Sequence, residues 1–196
     1  MYFFEVFIAE RHKVCAFFGH RKVAMTENLQ EQIRKTLENL IVAKNVRTFL
    51  FGSRSVFNCY CHLVVSELKM KYPSIKRIAY TCKGETCVLV SEQKKWKKIQ
   101  ARLKIPKLHL LEVEEEFEYK EKYESGRGSY VERNQAMIDN SEYCIFYYDE
   151  KYQPPVRKYS KQDMGYYQPK SGTALAYTYA KRKKKKIINI LCREKV

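Results

Sequence analysis

Three short segments of the chain combine glycine with residues that bind anions. They are Gly19-His20-Arg21, Gly52-Ser53-Arg54 and Ser171-Gly172-Thr173. Glycine lets a backbone approach an anion closely, arginine offers a bidentate fork, and the free N–H groups of a helix N-terminus favour negative charge. For any one segment the simpler interpretation is a tight turn with a solvated arginine. Three such segments at one edge of a sheet reverse that preference and predict a site for a nucleotide-like phosphate.

The apolar pattern predicts the elements that position these segments. Strands are predicted at Lys13–Phe18, Arg47–Phe51, Ile75–Tyr80, Tyr143–Tyr148 and Ile187–Leu191. Helices are predicted after Thr26, from Val56 to before Pro73, over Ser91–Leu103, near Tyr130–Asn140, and from Gly172 to about Arg182. Strands that alternate with helices and are apolar on both faces imply an α/β fold, a Rossmann-like, doubly wound three-layer sandwich with a mostly parallel sheet. Ligands of such sheets bind beyond the carboxyl ends of the strands.

Length and composition restrict the class of protein. The 196 residues fit one domain over 1–196, with residues 1–12 left open as an added strand or a loosely held arm. A net charge of +16 favours a partner that carries phosphate or another acid, and 45% hydrophobic residues argue against disorder. No apolar run approaches the ~20 residues of a membrane span, so no membrane partner is expected. No secretory signal is recognised, so a cytoplasmic location is expected.

The seven cysteines are expected to be buried free thiols in a reducing compartment, because their count is odd and several lie in apolar runs. Zinc is the alternative. Its candidate ligands are Cys59, Cys61, His62, Cys82, Cys87 and His109. Their C-x-C and C-x4-C spacings differ from the paired C-x2-C of common structural sites. We therefore expect no metal and no other cofactor.

Four segments resemble a known superfamily. They are Phe17–Arg21 (FFGHR), Tyr130–Asp139 (YVERNQAMID), Ser171–Ala174 (SGTA) and Ile187–Asn189 (IIN). Together they resemble the SLOG superfamily, and more narrowly its short, stand-alone bacterial members related to YpsA, whose function is largely unknown. The superfamily includes the DNA-processing protein DprA, the cytokinin-activating enzyme LOG, and nucleotide-sensing domains of defence systems. The resemblance covers nearly the whole chain from about Val14 to Leu191.

The resemblance implies site residues, with one departure from the enzyme pattern. In LOG-type phosphoribohydrolases an arginine with a methionine four residues on, and a glutamate after a Gly-Gly-x-Gly-Thr loop, cleave an N-glycosidic bond. Arg133 and Met137 match the first element, with Asn134 between them, and Gly172-Thr173 matches the end of the loop. The glutamate is missing, because Ala174–Tyr177 carries no carboxylate. Such cleavage needs a carboxylate near an oxocarbenium-like state, and arginine is always protonated.

Two substitutes for the missing carboxylate stay open. Glu132 is one, although helical neighbours face different directions. Glu114, Glu115 and Glu116 are the other, if their loop brings a carboxylate to the cleft. The ordinary interpretation of the acidic run Glu114–Glu118 is a solvated loop after a strand that begins near Leu108. His20 is either an acid and base near neutral pH or a residue that shapes its turn. One or two of the sixteen tyrosines can stack on a base.

Three functions follow, in order. The first is binding of a nucleotide or nucleotide-derived ligand at the carboxyl edge of the sheet, as a sensor or regulatory module. The second is a LOG-like nucleoside-monophosphate N-glycosidase or transferase, with Arg133 and Glu132 as catalytic candidates. The third is DprA-like nucleic-acid binding through the basic surface, which includes Lys181–Lys186. A homo-oligomer is compatible with each.

Overall fold

A computed structural model describes residues 11–21, 23–52, 55–82, 113–119, 127–158 and 166–191. A short 3-10 helix over Arg11–Lys13 precedes the first strand. The strands are β1 (Val14–Gly19), β2 (Thr48–Phe51), β3 (Lys76–Cys82), β4 (Glu115–Tyr119), β5 (Tyr143–Tyr147), β6 (Arg157–Lys158), β7 (Tyr166–Tyr167) and β8 (Lys186–Asn189). The helices are α1 (Glu27–Ala43), α2 (Val56–Lys71), α3 (Arg127–Asp139) and α4 (Gly172–Arg182). The predicted helix Ser91–Leu103 and residues 1–10 lie outside the described residues.

Six strands form one parallel sheet in the order β4-β3-β2-β1-β5-β8. Ala16 of β1 lies opposite Leu50 of β2 on one side and Cys144 of β5 on the other. The chain therefore builds the sheet outward from β1 to β4 and returns to the other side of β1 with β5. The point where the connections change direction lies between β1 and β5. The predicted α/β, doubly wound architecture is confirmed.

The two faces of the sheet are covered by different helices, because successive side chains of a strand point to opposite sides. Phe17 packs in one buried cluster with Ile33 of α1 and Leu63 of α2. Its neighbour Phe18 packs in the other cluster, which contains Met137 of α3 and Ala176 of α4. The result is the predicted three-layer sandwich.

Serine and threonine caps begin three of the helices. Thr26, Ser55 and Ser171 each accept a hydrogen bond from the backbone N–H three residues on, at 3.2, 3.1 and 3.0 Å. Such bonds satisfy one of the N–H groups that have no partner inside the helix. α1 and α2 follow β1 and β2 directly, and α4 leads from the segments after β5 back to the start of the parallel strand β8. The N-termini of all three helices therefore lie toward the carboxyl edge of the sheet, on the side of the glycine segments.

The expectation that Glu114–Glu118 forms a solvated loop is wrong. Residues of this run form the edge strand β4, in which Glu116 lies opposite Ala79 of β3. The Phe117 ring centroid is 4.9 Å from that of Tyr80. An apolar residue of the acidic strand therefore packs against a side chain of the neighbouring strand β3. Glu114, just before β4, accepts from the Arg77 guanidinium at 2.7 Å. Because Arg77 is near the start of β3, Glu114 lies at the amino edge of the sheet.

The basic run also lies at the amino edge, where it joins α4 to β8. Lys183 Nζ is 3.2 Å from the Asp139 carboxylate, and Lys186 Nζ is 2.9 Å from the Glu142 carboxylate. Lys185 Nζ donates to the Ser141 carbonyl at 2.6 Å. These lysines therefore connect the last strand to the end of α3.

Among the described residues, no helix has the length and apolar character to cross a membrane.

Candidate functional site

Gly52 lies directly after β2, where α3 passes over the end of the strand. A Cβ placed at Gly52 would lie 2.7 Å from the Sδ of Met137 and 3.0 Å from the Nε of Arg133. It would also lie 3.2 Å from the Tyr80 carbonyl oxygen. Only glycine fits this position without a shift of its neighbours. Gly52 thus meets Arg133 and Met137, residues that the sequence analysis assigned to the same site.

Arg133 is only 4% exposed, although arginine is rarely buried. Its Cζ lies 5.2 Å from the ring centroid of Tyr130, within the range of a cation–π contact. Its Nη2 donates a long hydrogen bond, 3.5 Å, to the Asn134 side-chain oxygen. Glu132 is half-buried beside it on α3. Since a guanidinium keeps its proton in proteins, the end of β2 carries a permanent positive charge.

The segment after β1 is positioned by contacts with two other elements. A Cβ on Gly19 would lie 2.7 Å from the Cβ of Phe57, so glycine allows α2 to pack closely on the strand. The Arg21 carbonyl accepts from the Val56 N–H at 3.5 Å, while the Arg21 side chain is exposed. The first glycine segment is thereby attached to the first turn of α2.

His20 connects the segments that follow β1 and β5. Its Nε2 accepts a hydrogen bond from the Asp149 backbone N–H at 3.0 Å, so the ring is neutral with its proton on Nδ1. Burial lowers the pKa of His20 from its ordinary value, against the opposing negative charge of Asp149. This bond holds the segment after β1 to the segment after β5.

The N-terminus of α4 is open on one side. Apart from its chain neighbours, no described residue has an atom within 4 Å of a Cβ built on Gly172. Gly172 is exposed, whereas Thr173 is buried. Ser171 caps the helix by accepting from Ala174 N–H. The helix has 11 residues, and its aligned peptide dipoles give a partial positive charge at this end. A group that approaches Gly172 meets the backbone N–H groups of the first turn of α4.

The structure places the remaining candidates as follows. Ser53 and Arg54 lie outside the described residues, as do Cys87 and His109. Cys59, Cys61 and Cys82 are buried cysteines outside any disulfide, and His62 is buried. In the described part of the chain, no group of three His, Cys, Asp or Glu side chains is arranged to hold a metal ion.

Sequence reasoning missed several residues that shape this edge. Asp149 holds His20, and Asn189, the last residue of β8, binds the backbone of Tyr148 through both atoms of its amide, at 3.1 and 2.9 Å. The signal for Asp149 was its place directly after a strand, since aspartate there often accepts from the backbone two residues on. Asp149 does accept from the Lys151 N–H, at 2.9 Å. Asn189 belongs to a segment that carried the resemblance, but no role followed from its position.

Comparison with known proteins gives one family. Residues 11–183 match the model of the YspA SLOG family. The matched segment begins in the short helix before β1 and extends through α4, so it includes all three glycine segments and Arg133. No match to the chain is found among curated proteins.

Proposed function

The chain belongs to the YspA SLOG family, and from that premise we propose that it binds a nucleotide or nucleotide-derived ligand at the carboxyl edge of its sheet. The ligand's phosphate lies between the end of β2 and the N-terminus of α4. The protein acts as a sensor or regulatory module, in which the bound ligand is a signal.

The observation that carries this proposal is the packing of Arg133 against Gly52. Burial of a charged arginine is costly, and a fold that holds one at the end of a strand gains from an anion there. The absence of a side chain on Gly52 leaves room for Arg133 and Met137 at this point. A phosphate accepts charge-assisted hydrogen bonds from such a guanidinium.

The open N-terminus of α4 supports the same ligand class. Backbone N–H groups and the helix dipole favour an anion beside Gly172, where no described residue beyond its chain neighbours lies within 4 Å of a built Cβ. Its capping residue, Ser171, fixes the first turn before any ligand arrives. Anion binding at this point therefore needs little rearrangement of the protein.

Neither rival function gains comparable support. An N-glycosidase needs a carboxylate at the reacting bond, yet Ala174–Tyr177 has none, and Glu132 leaves α3 about 100° away from Arg133. Nucleic-acid binding through the basic run would compete with the contacts of Lys183 and Lys186 to Asp139 and Glu142. These lysines lie at the edge opposite to Arg133.

Isothermal titration of the purified protein with AMP, GMP, CMP and UMP tests the proposal. At least one of the four is expected to bind. Gly172→Trp should abolish that binding by filling the space beside the helix N-terminus, and Arg133→Gln should weaken it at least about tenfold, the range of a charge-assisted hydrogen bond. Thr178→Trp, which places the same side chain at an exposed position further along α4, is the matched control and should bind as wild type does.

Unfolding curves of each variant accompany the titrations, because Arg133 is buried and its replacement can destabilise the fold. Gly172→Trp adds its side chain at an exposed position and should remain folded. Its loss of binding therefore tests the phosphate site independently of any loss of stability. Absence of binding by all four nucleotides would overturn the proposal. Equal binding by wild type and folded Gly172→Trp would overturn the placement of the phosphate.

A further inference from the structure

Four rings form a continuous row at the point where the connections of the sheet change direction. The Tyr152 ring centroid lies 4.3 Å from that of His20, and His20 lies 6.0 Å from Tyr148. Tyr148 lies 4.5 Å from Tyr177 of α4. The row therefore extends from the segment after β1, across the segment after β5, to the helix that begins at Gly172.

The backbone holds this row in place through hydrogen bonds. Tyr152 closes a turn by donating its N–H to the Asp149 carbonyl at 3.2 Å, and Asp149 in turn donates to His20. Tyr148 is held by the amide of Asn189 on the neighbouring strand. The backbone that carries these rings is thus held by His20, directly after β1, and by Asn189 of β8.

The row differs from Tyr147 and Tyr166 because its rings are both held by neighbouring residues and accessible to a ligand. Tyr152 is 44% exposed while one side of its ring contacts buried His20, and Tyr148 and Tyr177 are half-buried. Tyr147 points to the opposite face, where it contacts Phe57. Tyr166 is exposed on β7 and contacts only Lys158 among the ring contacts found in the described residues.

We propose that this row is the subsite for the heteroaromatic base of the ligand, with Tyr152 as the side chain that stacks on it. The inference rests on the proposed function, because the phosphate positions the base. Tyr177 is five residues from Gly172, less than two turns along α4, so phosphate and base subsites lie on the same helix. A base stacks on tyrosine through its π-face, whereas a sugar phosphate has no such face. The subsite therefore favours a nucleotide over a sugar phosphate.

The test compares ligands with and without a base. Wild-type protein is titrated calorimetrically with AMP, GMP, CMP, UMP and ribose 5-phosphate. The tightest nucleotide is expected to bind at least about tenfold more tightly than ribose 5-phosphate, the gain that one base on one aromatic ring typically gives. Tyr152→Leu should remove about that factor for the nucleotide and change the Kd of ribose 5-phosphate less than twofold.

Two further variants serve as controls. Tyr152→Phe keeps the ring and should bind the nucleotide as wild type does, while Tyr166→Leu removes an exposed tyrosine outside the row and should have no effect. Equal affinity of wild type for ribose 5-phosphate and the nucleotides, or unchanged nucleotide binding by Tyr152→Leu, overturns the base subsite and leaves the phosphate site standing. Absence of binding by all five compounds overturns both.

Discussion

The backbone N–H of Asp149 donates to Nε2 of His20 over 3.0 Å, and this bond joins two segments that are 129 residues apart in the sequence. It lies beyond the carboxyl ends of the neighbouring strands β1 and β5, where the connections of the sheet change direction. The imidazole is buried, and its acceptor nitrogen requires the neutral form. His20 is therefore a structural link between the candidate phosphate region and the turn that carries Tyr152.

Replacing His20 by phenylalanine should lower the free energy of unfolding by about 1–3 kcal/mol at pH 7.5, because Asp149 N–H loses its acceptor while the ring contact with Tyr152 is kept. The difference from wild type should shrink as the pH falls. Since the folded pKa of His20 is lowered, the unfolded chain takes up the proton first, and wild type loses stability below pH ~6.5. Urea unfolding at pH 7.5 and 5.5 measures both effects, and a constant difference would contradict them.

Gly52→Ala and Gly172→Ala should behave oppositely. The alanine Cβ at Gly52 would press on Met137 and Arg133, so we expect a loss of about 1–3 kcal/mol and a weaker affinity for nucleotide. At Gly172 the same methyl group lies in the first turn of a helix and is more than 4 Å from every described residue beyond its chain neighbours, so stability should be unchanged or slightly higher. Thermal unfolding of the two variants and wild type compares them directly. Equal melting temperatures for both variants would contradict this packing.

Most of the central sheet was predictable because buried parallel strands are apolar on both faces. β1, β2 and β5 are short apolar runs, and α4 was predicted over the same residues, Gly172–Arg182, that form it. β4 was not predictable from local pattern, since it is an acidic edge strand with a neighbour on one side in the described sheet. Its pairing with β3 and the contact of Phe117 with Tyr80 are long-range features.

The candidate site also has parts that the sequence predicted and parts that it did not. The rule for parallel sheets placed the glycine segments at one edge, and the family resemblance supplied Arg133 and Met137. The contact of Gly52 with Arg133 joins residues 81 positions apart, and no periodicity encodes it. The His20–Asp149 bond and the ring row depend on how the segment after β5 folds back over β1. Such contacts depend on the three-dimensional arrangement of the strands, which a local sequence pattern does not give.

No release of free base is expected from AMP, GMP, CMP or UMP. Bond cleavage would need a carboxylate to stabilise the developing positive charge, and the first turns of α4 carry Ala174, Leu175 and Ala176 where such a residue would stand. Chromatography of overnight incubations at high protein concentration measures the product. Steady turnover that disappears in Glu132→Gln would show that the half-buried neighbour of Arg133 supplies the carboxylate, and would establish the N-glycosidase.

His62 on α2 carries a cost to stability that a substitution should remove. Its side chain is 2% exposed, and neither ring nitrogen has a hydrogen-bond partner among the described residues. The ring lies edge-on to Phe51, with centroids 4.5 Å apart. Burial, and after it the charge of Arg77, lowers the pKa of His62 to about 3 against the opposing charge of Glu114.

His62→Leu should therefore raise the free energy of unfolding by about 1–2 kcal/mol at pH 8, because an unsatisfied polar ring is replaced by an apolar side chain of similar size. The gain should grow by up to about 2 kcal/mol at pH 5. The unfolded histidine is protonated below its ordinary pKa of 6.5, whereas the folded one stays neutral until about pH 3, so acid destabilises wild type and spares the variant. Urea unfolding at both pH values measures the change, with exposed His12→Leu as the control that should stay within about 0.5 kcal/mol. A gain that is the same at pH 8 and pH 5 would mean that His62 is protonated in the folded protein and has a partner that the ring contacts do not reveal.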